Sequence, residues 1–365
     1  MYKKKSMLRR TFLKSAPTAA ALAAGTPATG IKLGFDTYSI RAWQWKAIQF
    51  LDYAAGLKLD TVQLSSLNDY ESFEPEYLQK VKDHAARVGV AIDAGMGCIC
   101  STSASYNKKE GDPVSYLEKG LRVAKAVGAS SMRCYMGASA DRRGKLPIEA
   151  HMETTIKTLR KVRAKALDLN IKIGVENHSG DMQAREVKTI IEEAGKDFVG
   201  SCLDTGNPMW VVEDPFVTLE TLAPYVVTTH IRDSAVFEVP RGAAAQWVAL
   251  GDGSVDFKHF VEEYRRLCPQ ASMQLEIITG RKPEILPYLE PDFWKAFEKT
   301  PAHEFARFVA LAKSGRPFMG NMIIAGTTKQ PPVIEAALKE QQKADLERSL
   351  EYAKKVLDVG VKWRA

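Results

Sequence analysis

Residues 172–177 read KIGVEN, and three similar runs follow along the chain: GSCLD at 200–204, VVTTHIR at 226–232 and SMQLEI at 272–277. Each run is short and rich in apolar residues, and each carries a carboxylate or an imidazole near its end. Short apolar runs of this kind are typical of strands buried on both faces. We therefore predict four buried strands with polar side chains near their carboxyl ends.

Four further β-rich runs precede these, at 32–38, 61–64, 90–95 and 131–136. Amphipathic helical patterns lie between the runs, among them Pro75–Val88, Pro147–Leu169 and Asp256–Leu267. Strands that alternate with helices predict parallel βαβ units. Eight such units favour an α/β fold of the closed (β/α)8 TIM barrel type. A doubly wound open sheet is the alternative, and it is disfavoured because no G-x-G-x-x-G follows the first run.

The stretch after the eighth run breaks this rhythm. Residues 281–332 contain short aromatic-rich segments, and one long helical pattern at 335–359 closes the chain. We predict one barrel domain over residues 31–365, with an insertion at 281–332 before the final helix. Because loops at this end of a barrel form the rim of the active site, we expect the insertion to shape the substrate pocket.

The first thirty residues differ from the rest in charge. Residues 1–30 contain six Lys or Arg and no Asp or Glu, and residues 9–14 read RRTFLK, a twin-arginine pattern before an Ala-rich stretch. This order is typical of a twin-arginine signal peptide, a disordered basic tail being the alternative. We expect export to the periplasm and removal of the segment. Lys plus Arg then falls from 51 to 45 against 44 Asp plus Glu, so little basic charge remains for nucleic acid or membranes.

Four candidate metal ligands occupy equivalent places in the last four runs: Glu176, Asp204, His230 and Glu276. The carboxyl ends of parallel strands converge on the mouth of a barrel. A buried cluster of three carboxylates needs a cation to offset its charge. Three carboxylates and one imidazole form a mostly oxygen site, so we expect one divalent ion, Mn²⁺ first and Mg²⁺, Co²⁺ or Zn²⁺ as alternatives.

The same segments resemble those of the xylose-isomerase-like barrel superfamily of sugar isomerases and epimerases. The pieces that carry the resemblance are VENH at 175–178, LDTGN at 203–207, HIRD at 230–233 and LGDGSVDF at 250–257. The resemblance covers roughly residues 31–277 and the final helix. It implies that Glu176 and Glu276 bind the metal and also shuttle a proton, and that Asp204 and His230 are ligands only.

The predicted chemistry is proton transfer beside a carbonyl. A bound metal stabilises an enediolate as charge develops, while one carboxylate removes the proton and another returns it. Return on the other face gives epimerisation, return at the adjacent carbon gives isomerisation, and loss of a β-substituent gives elimination. We expect a sugar isomerase or epimerase, with a lyase or hydratase on 3-keto sugars or 3-keto glycosides as the runner-up.

Weaker candidates surround the four ligands. His178 is predicted to hold a substrate hydroxyl, the alternative being a surface loop histidine. Trp247 is predicted to wall a sugar ring, a core position being equally compatible. Asn207 stands where several members of the family carry a substrate-binding histidine, which counts against a ketohexose-like binding mode.

Asp233 is a further candidate for the substrate site. It is predicted either to orient His230 or to pair with Arg232. Other side chains near strand ends are Tyr38, Gln63 and Arg133.

Two functions of other classes compete with the isomerase. An AP endonuclease of the same superfamily needs a three-metal cluster, but Ala245, Trp247 and Asn207 stand where its extra ligands are expected, and the mature chain lacks a basic footprint for DNA. A non-catalytic sugar-binding barrel would not need two carboxylates on opposite sides of one metal. Because no phosphate-binding turn or Lys/Arg cluster is evident, we expect a non-phosphorylated small carbohydrate as the partner, and a homo-oligomer stays open.

Overall fold

The computed structural model describes residues 30–326 and 328–364 of the 365-residue chain. The twin-arginine segment, apart from Gly30, lies outside these residues. The eleven strands are β1 (Leu33–Asp36), β2 (Thr61–Leu64), β3 (Ala91–Cys98), β4 (Ser131–Tyr135), β5 (Lys172–Glu176), β6 (Val199–Asp204), β7 (Val226–His230), β8 (Asp233–Val239), β9 (Gly242–Val248), β10 (Met273–Leu275) and β11 (Glu284–Leu286).

Eight of these strands form a parallel barrel in the order β10-β1-β2-β3-β4-β5-β6-β7. The ring closes between β7 and β10, where Ile231 N donates to Gln274 O at 2.7 Å and Glu276 N donates to Ile231 O at 3.1 Å. Every residue of β1, β2 and β6 is buried, as expected for strands covered on both faces. The predicted (β/α)8 fold is confirmed.

The helices lie between the strands and cover the barrel. They are α1 (Ala47–Gly56), α2 (Pro75–Val88), α3 (Pro113–Ala126), α4 (Ser139–Arg142), α5 (Ile148–Lys161), α6 (Arg163–Leu169), α7 (Ala184–Ala194), α8 (Pro215–Leu222), α9 (Phe257–Leu267), α10 (Ala302–Ser314) and α11 (Pro332–Lys355). Within the described residues, no helix has the length and apolar character to cross a membrane.

Two of the predicted helices begin or end at other residues in the structure. The helix predicted over Pro147–Leu169 is two helices that break at Val162, which has φ −96° and ψ 3°. The final helix runs over Pro332–Lys355 rather than 335–359. By contrast, α2 has the predicted bounds, with Pro75 in its first turn and Gly89 at φ +69° as its C-cap.

A three-stranded antiparallel sheet, absent from the sequence prediction, stands beside the barrel. Strands β8 and β9 form a hairpin between β7 and α9, and β11 pairs with β9. The segment that forms β9, GAAAQWV, is rich in Ala and Gly, which are weak strand formers. The 281–332 stretch contributes β11 to this sheet, a 3₁₀ segment at Pro291–Ala296 and helix α10.

Candidate active site

The barrel brings the four predicted ligand residues together at its carboxyl mouth. Glu176, Asp204 and His230 end β5, β6 and β7, and Glu276 directly follows β10. All four are buried, and one ligand atom of each lies within 4.8 Å of the others. The four residues predicted from the strand ends therefore do form one cluster. Its role as a metal site stays a prediction.

His230 lies in the middle of this cluster. Its Nδ1 atom is 3.3 Å from Glu176 Oε1 and 3.3 Å from Glu276 Oε2, yet it has no hydrogen-bond partner among the residues that the structure describes. Its Nε2 atom is hydrogen-bonded to Gln63 Oε1 and lies 3.3 Å from Asp36 Oδ2. A buried ring nitrogen without a partner between two carboxylates is what a metal ligand would leave in a metal-free structure.

The charges of the cluster also suit a cation. Four buried carboxylates, those of Asp36, Glu176, Asp204 and Glu276, face two buried guanidinium groups, those of Arg133 and Arg232. Counted with every carboxylate ionised and His230 neutral, the formal balance is short of two positive charges, and an uncompensated buried charge costs several kcal/mol. Burial raises the pKa of Asp204 to about 7 and, against the effect of burial, the surrounding carboxylates raise the pKa of His230, so without a cation the cluster would take up protons to reduce this deficit. A divalent ion would supply that charge, and oxygen and nitrogen donors suit Mn²⁺, Mg²⁺ or Zn²⁺. The residues present therefore fit one divalent ion.

Arg232 bridges two of the ligand carboxylates. Its Nη2 donates to Asp204 Oδ2, its Nε to Asp204 Oδ1 at 3.2 Å, and its Nη1 lies 2.7 Å from Glu276 Oε2. Burial by itself would raise the pKa of Glu276, but Arg232 and His230 outweigh burial and hold it at about 2. Glu276 is therefore ionised at neutral pH.

Arg133 holds the other glutamate. Its Nε and Nη2 both donate to Glu176 Oε2, and its Nη1 donates to Met96 O at 3.1 Å. Burial opposes ionisation of Glu176, yet Arg133 and His230 keep its pKa well below the ordinary value. The two glutamates differ in access, because the Glu176 side chain is fully buried while that of Glu276 is 6% exposed.

A cavity of about 800 Å³ opens above the cluster. Glu276 and Arg232 are on its floor, and its walls combine hydroxyl, aromatic and cationic side chains. The other residues that line it are Tyr38, Ser65, Ser66, Met96, Gly97, Arg133, Tyr135, Ser139, His178, Ser179, Trp210, Trp247, Ile278, Arg281, Lys282, Pro283, Glu284 and Ile285. The volume and polar lining suit a small polar substrate.

His178 and Trp247 are the two weaker candidates that line this cavity. His178 stacks on Tyr135 with ring centroids 3.9 Å apart, and its Nδ1 donates to Gly137 O at 2.6 Å. Burial lowers the pKa of His178, so the ring is neutral and its Nε2 is left as an acceptor for a substrate hydroxyl. Trp247 stacks on Trp210 at 4.3 Å and under the Arg232 guanidinium at 4.7 Å, forming one wall.

Asn207 and Asp233 are placed differently. Asn207 Nδ2 donates to Glu176 Oε1 at 3.1 Å, so it supports a ligand and is not among the cavity-lining residues. Asp233 accepts from the backbone N–H groups of Ser234, Gly251 and Gly253 at 2.8–3.1 Å. These bonds hold the 250–253 turn, and the expected contact of Asp233 with His230 or Arg232 is not made within the described residues.

The sequence argument missed three contributors to the site. Asp36 ends β1 and has an Oδ2 atom without a hydrogen-bond partner in the described part of the chain. Its position at a strand end was a usable signal, since the same signal led to the four predicted ligands. Trp210, in a 3₁₀ turn after β6, and the bridging role of Arg232 had no comparable signal.

Comparisons with known proteins agree with this architecture. A family model described as xylose isomerase-like TIM barrel matches residues 11–285. The 3-oxo-isoapionate decarboxylase of Pectobacterium atrosepticum is 24% identical over 242 residues, covering 62% of this chain and 78% of that protein. The uncharacterized protein YihM of Escherichia coli is 25% identical over 142 residues, which is 39% of this chain. The match spans 41% of the length of YihM.

Solved structures show the same fold at low identity. A D-psicose 3-epimerase crystallised in the presence of D-fructose has a TM-score of 0.57 and 16% identity, covering 90% of this chain and 99% of its own. A xylose isomerase-like TIM barrel protein from Mycobacterium smegmatis in complex with magnesium has a TM-score of 0.54 and 14% identity, covering 80% and 99%. At these identities the likeness is evidence of fold alone.

Proposed function

Because this chain belongs to the xylose isomerase-like TIM barrel family, we propose that it is a metal-dependent sugar isomerase or epimerase. The reaction is proton transfer next to a carbonyl, on a non-phosphorylated sugar or sugar derivative. One divalent ion, Mn²⁺ in the first instance, is held by Glu176, Asp204, His230 and Glu276. The observation that carries the proposal is the pair of glutamate oxygens, each 3.3 Å from His230 Nδ1, of which that of Glu276 belongs to a residue lining the cavity and that of Glu176 is buried beneath it.

The residues divide the work by position. A divalent ion in the cluster would offset the negative charge that develops on the carbonyl oxygen. Glu276, ionised and lining the cavity, takes the proton from the carbon beside the carbonyl. Glu176 is the candidate to return a proton on the other face, and His178 Nε2 accepts a hydrogen bond from a substrate hydroxyl.

The test is exchange of carbon-bound hydrogen in deuterated water. The Mn²⁺-loaded protein is screened against free sugars and 3-keto glycosides, and the substrate found is used with Glu276→Gln and Glu176→Gln. Gln keeps an oxygen ligand but cannot accept the proton, so exchange falls by ~10²–10⁴ while Mn²⁺ still binds. Asp204→Asn instead weakens Mn²⁺ binding. Exchange at the wild-type rate in both Gln variants would remove the glutamates from the acid–base role.

A lyase acting on 3-keto sugars or 3-keto glycosides is the second candidate. It is favoured by the 24% identity, over 78% of its length, to a protein named as a decarboxylase of a 3-oxo compound. The same enediolate loses a β-substituent in place of regaining its proton, whereas loss of CO₂ from a 3-keto acid would itself form an enediolate, which then takes up a proton. Mass spectrometry of the products separates the two, because a lyase changes the mass of the substrate and an isomerase does not.

We also propose export through the twin-arginine route, on the basis of residues 9–14, RRTFLK. Replacing both arginines by lysine, Arg9→Lys with Arg10→Lys, should keep the precursor in the cytoplasm. Fractionation checks this, and unchanged periplasmic yield would argue against the route.

A further inference from the structure

A line of hydrogen bonds crosses the inside of the barrel from its amino end to His230. Thr228 Oγ1 donates to Asp93 Oδ2 at 3.2 Å, and Gln63 Nε2 donates to Thr228 Oγ1 at 2.9 Å. Gln63 Oε1 is hydrogen-bonded to His230 Nε2. Gln63 and Thr228 are fully buried, so water does not compete for these bonds.

The direction of each bond is fixed by its neighbour. The Asp93 carboxylate accepts, so the Thr228 hydroxyl donates to it and offers its lone pair to the Gln63 amide nitrogen. The carbonyl oxygen of Gln63 must then face His230. Because a carbonyl oxygen has no proton, His230 Nε2 is the donor in that bond. The neutral ring therefore carries its proton on Nε2 and its lone pair on Nδ1.

We propose that Gln63 is a positioning residue that sets the tautomer of His230 for metal binding. This inference rests on the proposed metal site. With the amide as observed, the Nδ1 lone pair lies between Glu176 and Glu276, 3.3 Å from each. With the amide reversed, the NH₂ group would donate to Nε2 and favour the proton on Nδ1, where it blocks a metal, against Asp36 Oδ2, which lies 3.3 Å from Nε2 but is not hydrogen-bonded to it. Thr228 matters because it prevents that reversal.

The experiment uses two matched pairs of variants. Thr228→Val removes the hydroxyl at nearly constant shape, and Thr228→Ser keeps it. Gln63→Leu removes the acceptor of the Nε2 proton, and Gln63→Glu keeps one. Mn²⁺ affinity, measured by titration calorimetry, should fall about 10- to 100-fold in Thr228→Val and Gln63→Leu and stay within about threefold in the two conservative variants.

A second measurement reads the tautomer directly. In ¹⁵N spectra of the Zn²⁺-loaded wild type, His230 should show the metal on Nδ1 and a proton on Nε2, and circular dichroism checks that each variant is folded. Wild-type Mn²⁺ affinity in both Thr228→Val and Gln63→Leu would overturn the role of Gln63 while leaving the metal site intact. If the wild type itself does not bind Mn²⁺, the metal site fails and the inference fails with it.

A separate observation concerns the charge at one side of the cavity mouth. Arg281 and Lys282 line the cavity, and Arg41 lies nearby, partly buried. None of the three has a carboxylate within 4 Å among the described residues, although Glu284 beside them pairs with Arg143 at 3.6 Å. Within the part of the chain that the structure describes, Arg41 donates to the backbone oxygens of Tyr38 and Thr279, at 3.2 Å each, and to no side chain.

Arg281 and Lys282 are exposed to water, so the half-buried Arg41 is the costly member of this arrangement. Burial lowers the pKa of Arg41, and the neighbouring charge of Arg281 lowers it further, against raising effects of Tyr38 and Glu276. The sequence argument found no Lys/Arg cluster, because the fold alone brings residue 41 to residues 281 and 282. We infer that these three residues form a subsite for an anionic group of the substrate, a carboxylate in the first instance. This too rests on the proposed function.

Binding of three probes to the wild type tests this subsite: D-gluconate, the neutral D-glucitol and D-glucose 6-phosphate. Gluconate should bind at least about tenfold more tightly than glucitol at low salt, and Arg281→Ala with Lys282→Ala should abolish the difference, while Lys80→Ala on α2 should not. A preference for the phosphate alone would assign the subsite to phosphate. Equal binding of all three, or binding of none, would overturn the subsite, and the deuterium exchange test would be unaffected.

Discussion

The two ends of the barrel each bury carboxylates, and they treat them differently. At the amino end, both oxygens of Asp93 have partners: Oδ2 accepts from Gln274, Thr228 and Ser272 at 2.7–3.3 Å, and Oδ1 accepts from Ser131 at 3.2 Å. At the carboxyl end, His230 Nδ1, Asp36 Oδ2 and Asn207 Oδ1 have no hydrogen-bond partner within residues 30–326 and 328–364.

The difference separates a structural polar cluster from a functional one. Neutral donors of the chain itself satisfy Asp93, and Gln274 Oε1 beside it, which has no hydrogen-bond partner among the described residues, is uncharged. The mouth cluster gathers four carboxylates, and its two arginines do not balance their charge. Buried groups without partners normally carry a cost, so their concentration at one end indicates that this end binds something that the chain does not supply.

The largest expected effect comes from removing the central ligand of the mouth cluster. His230→Ala should weaken Mn²⁺ binding by more than about 100-fold, since loss of a ligand exceeds the loss typical of its supporting bonds. His178→Ala, in the same cavity but outside the cluster, should bind Mn²⁺ as the wild type does. Calorimetry measures the Mn²⁺ affinity of both variants. Equal losses of affinity would contradict the assignment of Mn²⁺ binding to the mouth cluster.

At the other end, the expected effect is on stability. Asp93→Ala leaves up to four donors without an acceptor, three of them buried, and should lower the free energy of unfolding by about 2–4 kcal/mol. Asp93→Asn, which keeps one acceptor oxygen, should lose less. Urea unfolding gives these values. Unchanged stability in Asp93→Ala would contradict a structural role for this cluster.

Tryptophans at the two ends sharpen the same contrast. Trp247 stacks between Trp210 and Arg232 in the cavity wall, so Trp247→Ala should raise KM about tenfold with a smaller change in kcat. Trp363 lies near the amino end, where its Nε1 donates to Val359 O at 2.8 Å. Trp363→Ala should leave KM unchanged, and steady-state kinetics on the substrate found by the exchange screen would show whether it does.

Asp69 lies near the mouth of the barrel and has hydrogen-bond donors of its own. Of the changes considered, its replacement should have the smallest effect, and that effect is on the pH dependence of stability. Burial raises its pKa to about 6, against hydrogen bonds from Thr37 and Ser66. The folded protein then binds this proton more tightly than the unfolded chain, so the stability from this group is full below about pH 4 and declines up to about pH 6. Asp69→Asn should remove a decline of roughly 1–2 kcal/mol. Parallel pH–stability curves for variant and wild type would contradict this.

The parts of the structure that the sequence predicted are those that depend on chain-local signals. Apolar runs specified the eight barrel strands, and because parallel strands end at one mouth, their terminal residues 176, 204, 230 and 276 had to meet. The apolar spacing over residues 75–88, with Pro75 in the first turn, gave α2 its bounds. These inferences need no knowledge of which side chains touch.

The parts that the sequence did not predict depend on contacts between distant residues. The β8–β9 hairpin is formed by an Ala-rich strand that gains its stability from pairing with β8 and β11. Arg232 reaches Asp204, and Gln63 reaches His230 from β2, across a barrel interior whose dimensions no local pattern encodes. The group formed by Arg41, Arg281 and Lys282 has the same origin, because Arg41 is about 240 positions away from the other two residues.

The most direct test of the central claim is anomalous diffraction from crystals soaked in Mn²⁺. The account predicts one strong peak in the mouth cluster, coordinated by His230 Nδ1 and by oxygens of Glu176, Asp204 and Glu276, and its loss in His230→Ala. No peak in the cluster at Mn²⁺ concentrations that saturate the protein in solution, or an ion bound on the Nε2 side of His230, would contradict it.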